Sequence, residues 1–211
     1  VLKKIKDKGI KKVFLKKNIG RTNCLNYGLK KCKGKYVAIL DSDDISKFNR
    51  VKLQLNFLEK NKKIFLVGSN YYLINENKKI IKNVKNSLIF LNNPRSLLYK
   101  NLIAHSTVMY RKSMIKKIGN YPKSFKYAQD YAFYLKIFKK YKIHIMNKNL
   151  VKIRAPHIEA ETSRVFKTKT ITSEELRLLL YSYKNFILNF FEKLFISFYI
   201  LKKYLKLILR S

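Results

Sequence analysis

The chain has 211 residues, 47% of them hydrophobic, which suffices for a core and excludes a chain disordered throughout. Its 48 basic and 12 acidic residues give a formal net charge of +36, which invites an RNA or anionic-membrane partner. The basic residues are mostly lysine and run through every segment, which argues against nucleic acid, whose readers concentrate arginine on one face. The chain begins at Val1 and shows no signal-peptide pattern. Val13-Phe14-Leu15 reads as a short strand. A helix is predicted from Thr22 to Lys31, with Gly34 closing it. Cys24 and Cys32 on that helix read as small core residues of a reduced compartment, without companions at zinc-ligand spacing. Gly28 inside it costs about 1 kcal/mol against Ala and reads as a place where helix packs closely on strand.

Tyr36 to Leu40 are five consecutive apolar residues behind Lys33-Gly34-Lys35, the pattern of a buried parallel strand. Asp41, Asp43 and Asp44 stand at its end, where open α/β sheets bind ligands. Clustered carboxylates there suit a hard cation, Mn²⁺ or Mg²⁺, carrying a phosphorylated ligand. The competing reading is an acidic turn that caps the next helix through Asp44 or Ser46.

A helix from Asn49 to Lys60 carries Val51, Leu55 and Leu58 on one face. Ile64–Val67 is a further buried strand. Tyr71–Ile74 and Lys79–Ile81 flank the turn Asn75-Glu76-Asn77 as a hairpin. Pro94 opens a short helix through Tyr99. Ile103 to Tyr110, with His105 inside it, reads as a strand, followed by a helix from Lys112 to Ile118 capped by Gly119. After an aromatic loop from Asn120 to Ala128, Gln129-Asp130 opens a helix carrying Phe133, Ile137 and Phe138. Read alone, Asp130 is a helix N-cap. Ile143–Ile145 and Leu150–Ile153 are short strands leading to Arg154-Ala155-Pro156-His157 and a polar stretch ending near Thr172. From Ser173 to Arg210 the pattern is helical. Its most apolar run, Phe186 to Leu201, is broken by Asn189, Glu192, Lys193 and Ser197, whereas a spanning helix wants ~20 predominantly apolar residues. It is expected to lie on the sheet or on a membrane surface, with lysines at its polar edge.

Taken in order, Asn18-x-Gly20, Asn26-x-Gly28, Gly34-Lys35-Tyr36 and Leu40-Asp41-Ser42-Asp43-Asp44 resemble the family 2 glycosyltransferases of the GT-A fold. His105-Ser106-Thr107-Val108-Met109-Tyr110-Arg111 is similar to the strand that family places beside the acceptor. Ile118-Gly119-Asn120-Tyr121 with Gln129-Asp130-Tyr131, and Leu150 to Arg154 with His157, resemble its later motifs. The likeness covers roughly residues 10 to 165. It implies an α/β fold, a GT-A (Rossmann-like) mixed sheet flanked by helices. Residues 1–165 would be the catalytic domain and 166–211 a C-terminal amphipathic helical segment that associates with membrane.

The resemblance further implies an inverting transfer of sugar from a nucleotide-sugar donor to a hydroxyl, in bacterial cell-surface polysaccharide or glycolipid synthesis. Asp41 and Asp43 would be the D-x-D pair that holds Mn²⁺ or Mg²⁺ at the donor diphosphate, helped by Asp44, Asn18 and Arg154. Asp130 would be the general base, kept ionised by the positive end of its helix. His105, Gln129, where the family usually has Glu, and His157 would stand on the acceptor side. The partners implied are the donor, a saccharide or lipid-linked acceptor and an anionic membrane surface. The location implied is cytoplasmic, peripheral on the inner face of the plasma membrane. The family normally opens with a strand, a helix and a second strand ending in an Asp for the nucleotide base. Nothing after Val1 supplies these, so the expectation is a chain whose start lies upstream. Two rival readings are a basic remnant without activity that binds membrane or RNA, and a nucleotidyltransferase with a similar sheet. Gln129-Asp130 and Arg154-x-x-His157 argue against the latter.

Overall fold

The structure, a computed structural model, describes residues 6–86, 94–155 and 161–209, the side chains of 94 and 161–167 excepted. A six-stranded mixed sheet, in the order β1-β5-β3-β6-β2 with β4 hairpinned onto β3, organises these residues. The strands are β1 Tyr36–Ala38, β2 Ile45–Ser46, β3 Ile64–Ile74, β4 Ile80–Val84, β5 Met109–Arg111 and β6 Lys142–Arg154. β3 and β6 run parallel, and every other pair is antiparallel. The helices are α1 Arg21–Lys31, α2 Arg50–Lys60, α3 Ile115–Ile118, α4 Gln129–Phe138, α5 Glu161–Asn185 and α6 Phe190–Ile208.

Strand alternation sends neighbouring side chains to opposite faces. Leu66 and Tyr110 therefore join the larger core, with Phe133, Leu135 and Ile137 of α4. Val67 and Met109 meet Leu58 of α2 in a smaller core on the other face. Helix α4 is apolar nearly all round and correspondingly buried. Leu178 and Leu179 of α5 and Ile196 of α6 belong to the larger core, so the C-terminal helices pack on the same body as the sheet.

The mixed α/β sheet flanked by helices is the predicted class, but several local expectations are corrected. Val13, Phe14 and Leu15 form no ladder, and they are 43%, 60% and 40% exposed. β1 is antiparallel to β5 rather than parallel to a neighbour, and of its residues only Val37 is buried. Ile64–Val67 and Tyr71–Ile74 are one strand, because the turn-like Gly68-Ser69-Asn70 between them is buried. A Cβ on Gly68 would meet Ile145 Cδ1 at 2.8 Å, and Asn70 satisfies its amide on Asn147 Oδ1 (2.9 Å) and the backbone N of Asn86 (2.9 Å). β6 is likewise continuous. Its pairing with β3 jumps from Met146 to Asn149 and leaves Asn147 and Lys148 as a bulge that looked like a break. Within Ile103–Tyr110 the backbone turns through a 3₁₀ turn at His105–Thr107 before β5 begins. Helix α5 starts at Glu161, inside the polar stretch read as ending near Thr172, ahead of Ser173, where the sequence pattern places the helical start. His157 and Pro156 lie outside the described residues.

Helix α2 buries Arg50, Gln54 and Leu58, whereas Val51 is 53% exposed, so its inward face is partly polar. Cys24 is exposed rather than in the core. Gly28 is not a close-packing site: among the described residues a Cβ built there meets no atom within 4 Å. Gly28→Ala is accordingly expected to stabilise the fold by about 0.5–1 kcal/mol, through helix propensity and a stiffer unfolded chain. A thermal melt followed by circular dichroism should show a rise of about 2–3 °C for a domain this size. A fall would mean that the position faces something the helix geometry does not reveal.

Candidate active site

The acidic turn grows out of β1. Ile39 N donates to Val108 O (3.0 Å), prolonging the β1–β5 pairing by one bond, and Asp41 N then donates to Ser106 Oγ (3.0 Å). The chain turns at Asp41–Asp44, closed by Asp44 N to Asp41 O (3.2 Å), and enters β2. The turn is held from a distance as well. Arg154 N donates to Asp44 Oδ1 (2.9 Å), Arg154 Nε to Asp43 O (3.3 Å) and Arg154 Nη1 to the carbonyls of Asn75 (3.1 Å) and Glu76 (2.9 Å). One guanidinium thus ties the acidic turn to the β3–β4 hairpin.

The three carboxylates differ. Asp41 Oδ2 accepts from Arg21 Nη2 at 2.6 Å. Asp44 is half-buried, and burial raises its pKa against the opposing bonds from Ser106 and the Arg154 amide. Asp43 is exposed and its carboxylate has no hydrogen-bond or ion-pair partner among the described residues. No group of three or more His, Cys, Asp or Glu side chains converges on a point among the described residues. Asp41 and Asp43 are nevertheless hard oxygen donors. That suits a Mg²⁺-like ion, which takes one or two carboxylates together with substrate phosphates and water.

Asp130 lies at the first turn of α4 and on the wall of a cavity of about 750 Å³. Tyr99, Lys100, Asn101, Ala104 and Lys85 also line it. Its Oδ1 accepts from Tyr131 N (2.7 Å), and Asn101 Nδ2 lies 3.5 Å from Oδ2. The positive helix end favours the ionised carboxyl, and burial opposes it. Its pKa is pushed up to about 6, against the Tyr131 N–H, the positive charge of Arg21 and the Asn101 contact. Arg21 thus acts on both Asp41 and Asp130.

Between turn and cavity stands the 3₁₀ turn at His105–Thr107, whose preceding residue Ala104 lines the cavity while Ser106 holds Asp41. His105 is buried. Its Nε2 is 3.2 Å from Tyr121 Oη, and its Nδ1 has no hydrogen-bond partner, with Asp41 Oδ1 4.0 Å away. Burial pushes its pKa down to about 4, opposed by Asp41 and reinforced by Arg21, so the ring is neutral at pH 7.

Other predicted residues sit apart. Gln129 is 1% exposed, and its amide, oriented to donate, reaches the carbonyls of Tyr127 (2.8 Å) and Lys126 (3.2 Å), away from the cavity. Asn18 closes a turn by accepting from Gly20 N at 2.9 Å, where Gly20 has φ 79°. Sequence reasoning missed Arg21, Ser106, Arg50 and Glu174. The buried Glu174 carboxylate accepts from the backbone N of Lys126 (2.5 Å), Tyr127 (2.9 Å) and Ala128 (2.8 Å), pinning the loop that delivers Asp130. An acid kept amid so many lysines is the one signal that could have singled it out.

Residues 1–119 match the family described as Glycosyl transferase family 2. The chain is 32% identical over 214 residues to the uncharacterized glycosyltransferase MJ1057 of Methanocaldococcus jannaschii, covering 99% of this chain and 73% of that protein. It is 38% identical over 155 residues to the Escherichia coli UDP-Glc:alpha-D-GlcNAc-diphosphoundecaprenol beta-1,3-glucosyltransferase WfaP, covering 72% of this chain and 57% of that protein. Among solved structures, the mannosyltransferase PcManGT from Pyrobaculum calidifontis, in complex with GDP-Man and Mn²⁺, has the same fold. It superimposes with a TM-score of 0.60 at 12% identity over 92% of this chain and 53% of its own.

Proposed function

We propose, from the premise that this chain belongs to the family 2 glycosyltransferases, that it moves a sugar from a nucleotide-sugar donor to a hydroxyl of a saccharide or lipid-linked acceptor, inverting the anomeric carbon. The setting proposed is cell-surface polysaccharide or glycolipid synthesis, and it is supported by the Escherichia coli relative's name, which gives a UDP-Glc donor and a GlcNAc-diphosphoundecaprenol acceptor. One observation carries the reading: a carboxyl with its pKa raised to about 6 lines a cavity, and an exposed acidic turn lies just across a single 3₁₀ turn from it.

The two halves answer the two electrostatic demands of the reaction. The departing diphosphate gathers negative charge, and the acceptor hydroxyl must lose a proton. Asp41 and Asp43 offer oxygen ligands for Mn²⁺ or Mg²⁺, which when bound supplies Lewis-acid stabilisation of the diphosphate. Arg21 and Ser106 fix Asp41, while Asp44 and Arg154 hold the turn in shape. Arg154 also adds positive charge on the donor side, and Asn18 shapes the loop before α1. Asp130 takes the acceptor proton. A base with a pKa near 6 is ionised at neutral pH yet basic enough to accept. A single base on the acceptor side implies in-line displacement, hence inversion. Neutral His105, packed on Tyr121 with Asp41 Oδ1 4.0 Å away, is kept as an acceptor-side residue. Gln129 serves by fixing the start of α4, and His157 is proposed for the acceptor side from its place in the closing motif.

Titration calorimetry with UDP-glucose, UDP-GlcNAc and GDP-mannose tests the donor half. One of them is expected to bind with MnCl₂ present and to lose more than about tenfold in affinity, roughly 1.4 kcal/mol, in EDTA or in Asp43→Ala. The paramagnetic signal of free Mn²⁺ should fall on adding wild-type protein and donor, but not with Asp43→Ala. Equal donor affinity in EDTA would remove the metal from this reading.

A further inference from the structure

The outer face of α6 is a feature that sugar transfer leaves unused. Ile196 is fully buried and marks the inner face. At 100° per residue, Phe191, Leu194, Phe198, Leu201, Leu205 and Ile208 fall on the opposite arc, and they are between 48% and 68% exposed. Isolated exposed apolar residues are ordinary, but six on one stripe are not. The helix is well built. Asn189 and Glu192 form a reciprocal capping box, and Arg95 pairs with Glu192 and donates to Ile187 O (2.7 Å). No helix among the described residues is long and apolar enough to cross a membrane.

Charge selects the occupant. Lys193 and Lys202 fall on the two flanks of the stripe, with Lys206 on the far side of Lys202. The one acidic residue of α6, Glu192, is taken by Arg95. A second copy of this helix would set lysines against lysines with no carboxylate between them. A surface of lipid phosphates answers the lysines while its acyl region takes the stripe. Position agrees as well. The Tyr99 ring stacks on Phe195 (5.8 Å between centroids) and Tyr199 (5.6 Å) of α6, and Tyr99 also lines the cavity that holds Asp130.

We propose that α6 is an interfacial helix that lays this protein on an anionic bilayer, with its apolar stripe in the headgroup boundary and the Asp130 cavity alongside. The stripe supplies burial, the flanking lysines supply attraction, and a lipid-linked hydroxyl would meet the cavity at the surface where it resides.

Co-sedimentation with vesicles is the test, using phosphatidylcholine alone and an equimolar mixture with phosphatidylglycerol. The 211-residue chain is expected to pellet with the anionic vesicles, to stay in solution with phosphatidylcholine, and to be released toward molar salt, where the Debye length falls to about 3 Å. The double variant Phe198→Glu/Leu201→Glu, at two exposed positions, should keep its helical circular dichroism and lose at least about tenfold in partitioning, since each change swaps buried apolar area for like charge against the lipid. Failure of the wild type to bind anionic vesicles, equal binding to both compositions, or undiminished binding by the double variant would each overturn the proposal. So would a wild-type dimer in light scattering that the double variant dissolves, because a second copy would then be the occupant. No sugar, nucleotide or metal enters the measurement, so its failure leaves the transfer reading standing, and failure of donor binding leaves this one.

Discussion

Asp130→Asn is expected to lower turnover by about 10²–10⁴-fold, equivalent to roughly 3–5 kcal/mol of transition-state stabilisation. Donor affinity should change little, because Asp41, Asp43 and the Arg154 clamp are untouched. The asparagine keeps the shape and can still accept from Tyr131 N, but it cannot take a proton. In the wild type, kcat/KM should climb with pH through about 6 and level off above, as the carboxyl ionises. Stability should move the opposite way. The folded pKa lies above the unfolded one, so the fold holds this proton more tightly than the unfolded chain does. Its contribution is full below about pH 4 and is lost as pH rises through about 6. Two pKa units set an upper bound of about 3 kcal/mol, and solvent in the cavity lowers it to about 1–2 kcal/mol. Asp130→Asn should therefore melt higher than wild type at pH 8 and level with it at pH 4. The N-cap position of this helix is Ala128 rather than Asp130, so turnover within about twofold of wild type would leave Asp130 a first-turn residue with no part in proton transfer, with His105 the next base to test.

Arg50 carries the largest expected effect on folding. It is 1% exposed, and burial pushes its pKa down to about 10. Its fork donates to Gln54 Oε1 (3.0 Å), Ile39 O (2.8 Å) and Val108 O (3.1 Å), and Gln54 Nε2 continues to Thr107 O (2.7 Å). Two opposing terms meet here. A buried cation costs solvation, and its removal strands carbonyls and leaves a hole. With three hydrogen bonds and a long side chain lost, the second term should prevail. Arg50→Ala is expected to destabilise by about 3–5 kcal/mol and Arg50→Met, which refills the space, by about 1–3 kcal/mol. Urea unfolding measures both. An Arg50→Met variant as stable as wild type would show that desolvation cancels the bonds. Because Ile39 stands two residues before Asp41 of the acidic turn, donor affinity should fall in Arg50→Ala as well.

Where hydrophobic period and side-chain type agreed, the fold was legible. The helices at Arg50–Lys60 and Gln129–Phe138, the hairpin at Asn75–Asn77 and the helical C-terminal region were all visible beforehand. So was the order of motifs, and with it the family. Local polarity misled where tertiary contacts supply the partners. Gly68-Ser69-Asn70 separates two strands in the sequence reading because its need for Ile145 to lie close and for Asn147 to bond appears only once β6 is in place. His105-Ser106-Thr107 reads as strand because apolar residues flank it, yet Thr107 bonds back to Ala104 O (2.7 Å) and bends the chain. A usable signal lay in the arginines. Only eight of the 48 basic residues are arginine, where lysine is the default. Arg50 and Arg111 are buried and fork onto carbonyls, Arg21 and Arg95 pair with carboxylates, Arg154 clamps the acidic turn and Arg177 lies over the Phe125 ring. Each uses planarity that lysine lacks.

The clamp on the acidic turn also fixes an order of events during synthesis. Asp44 and the amide it accepts from, that of Arg154, are 110 residues apart in the chain, and among the described residues β2 pairs with β6 alone. The long β3–β6 pairing must close the same interval. At ordinary translation speeds of 5–20 residues per second, the turn waits about 5–20 s on the ribosome for the strand that completes it. Through that interval β3 offers an open apolar edge, a ready docking place for chaperones or for the wrong strand. Synonymous changes that slow translation between Asp44 and Arg154 should therefore lower the soluble yield of this protein more than equal slowing after Arg154.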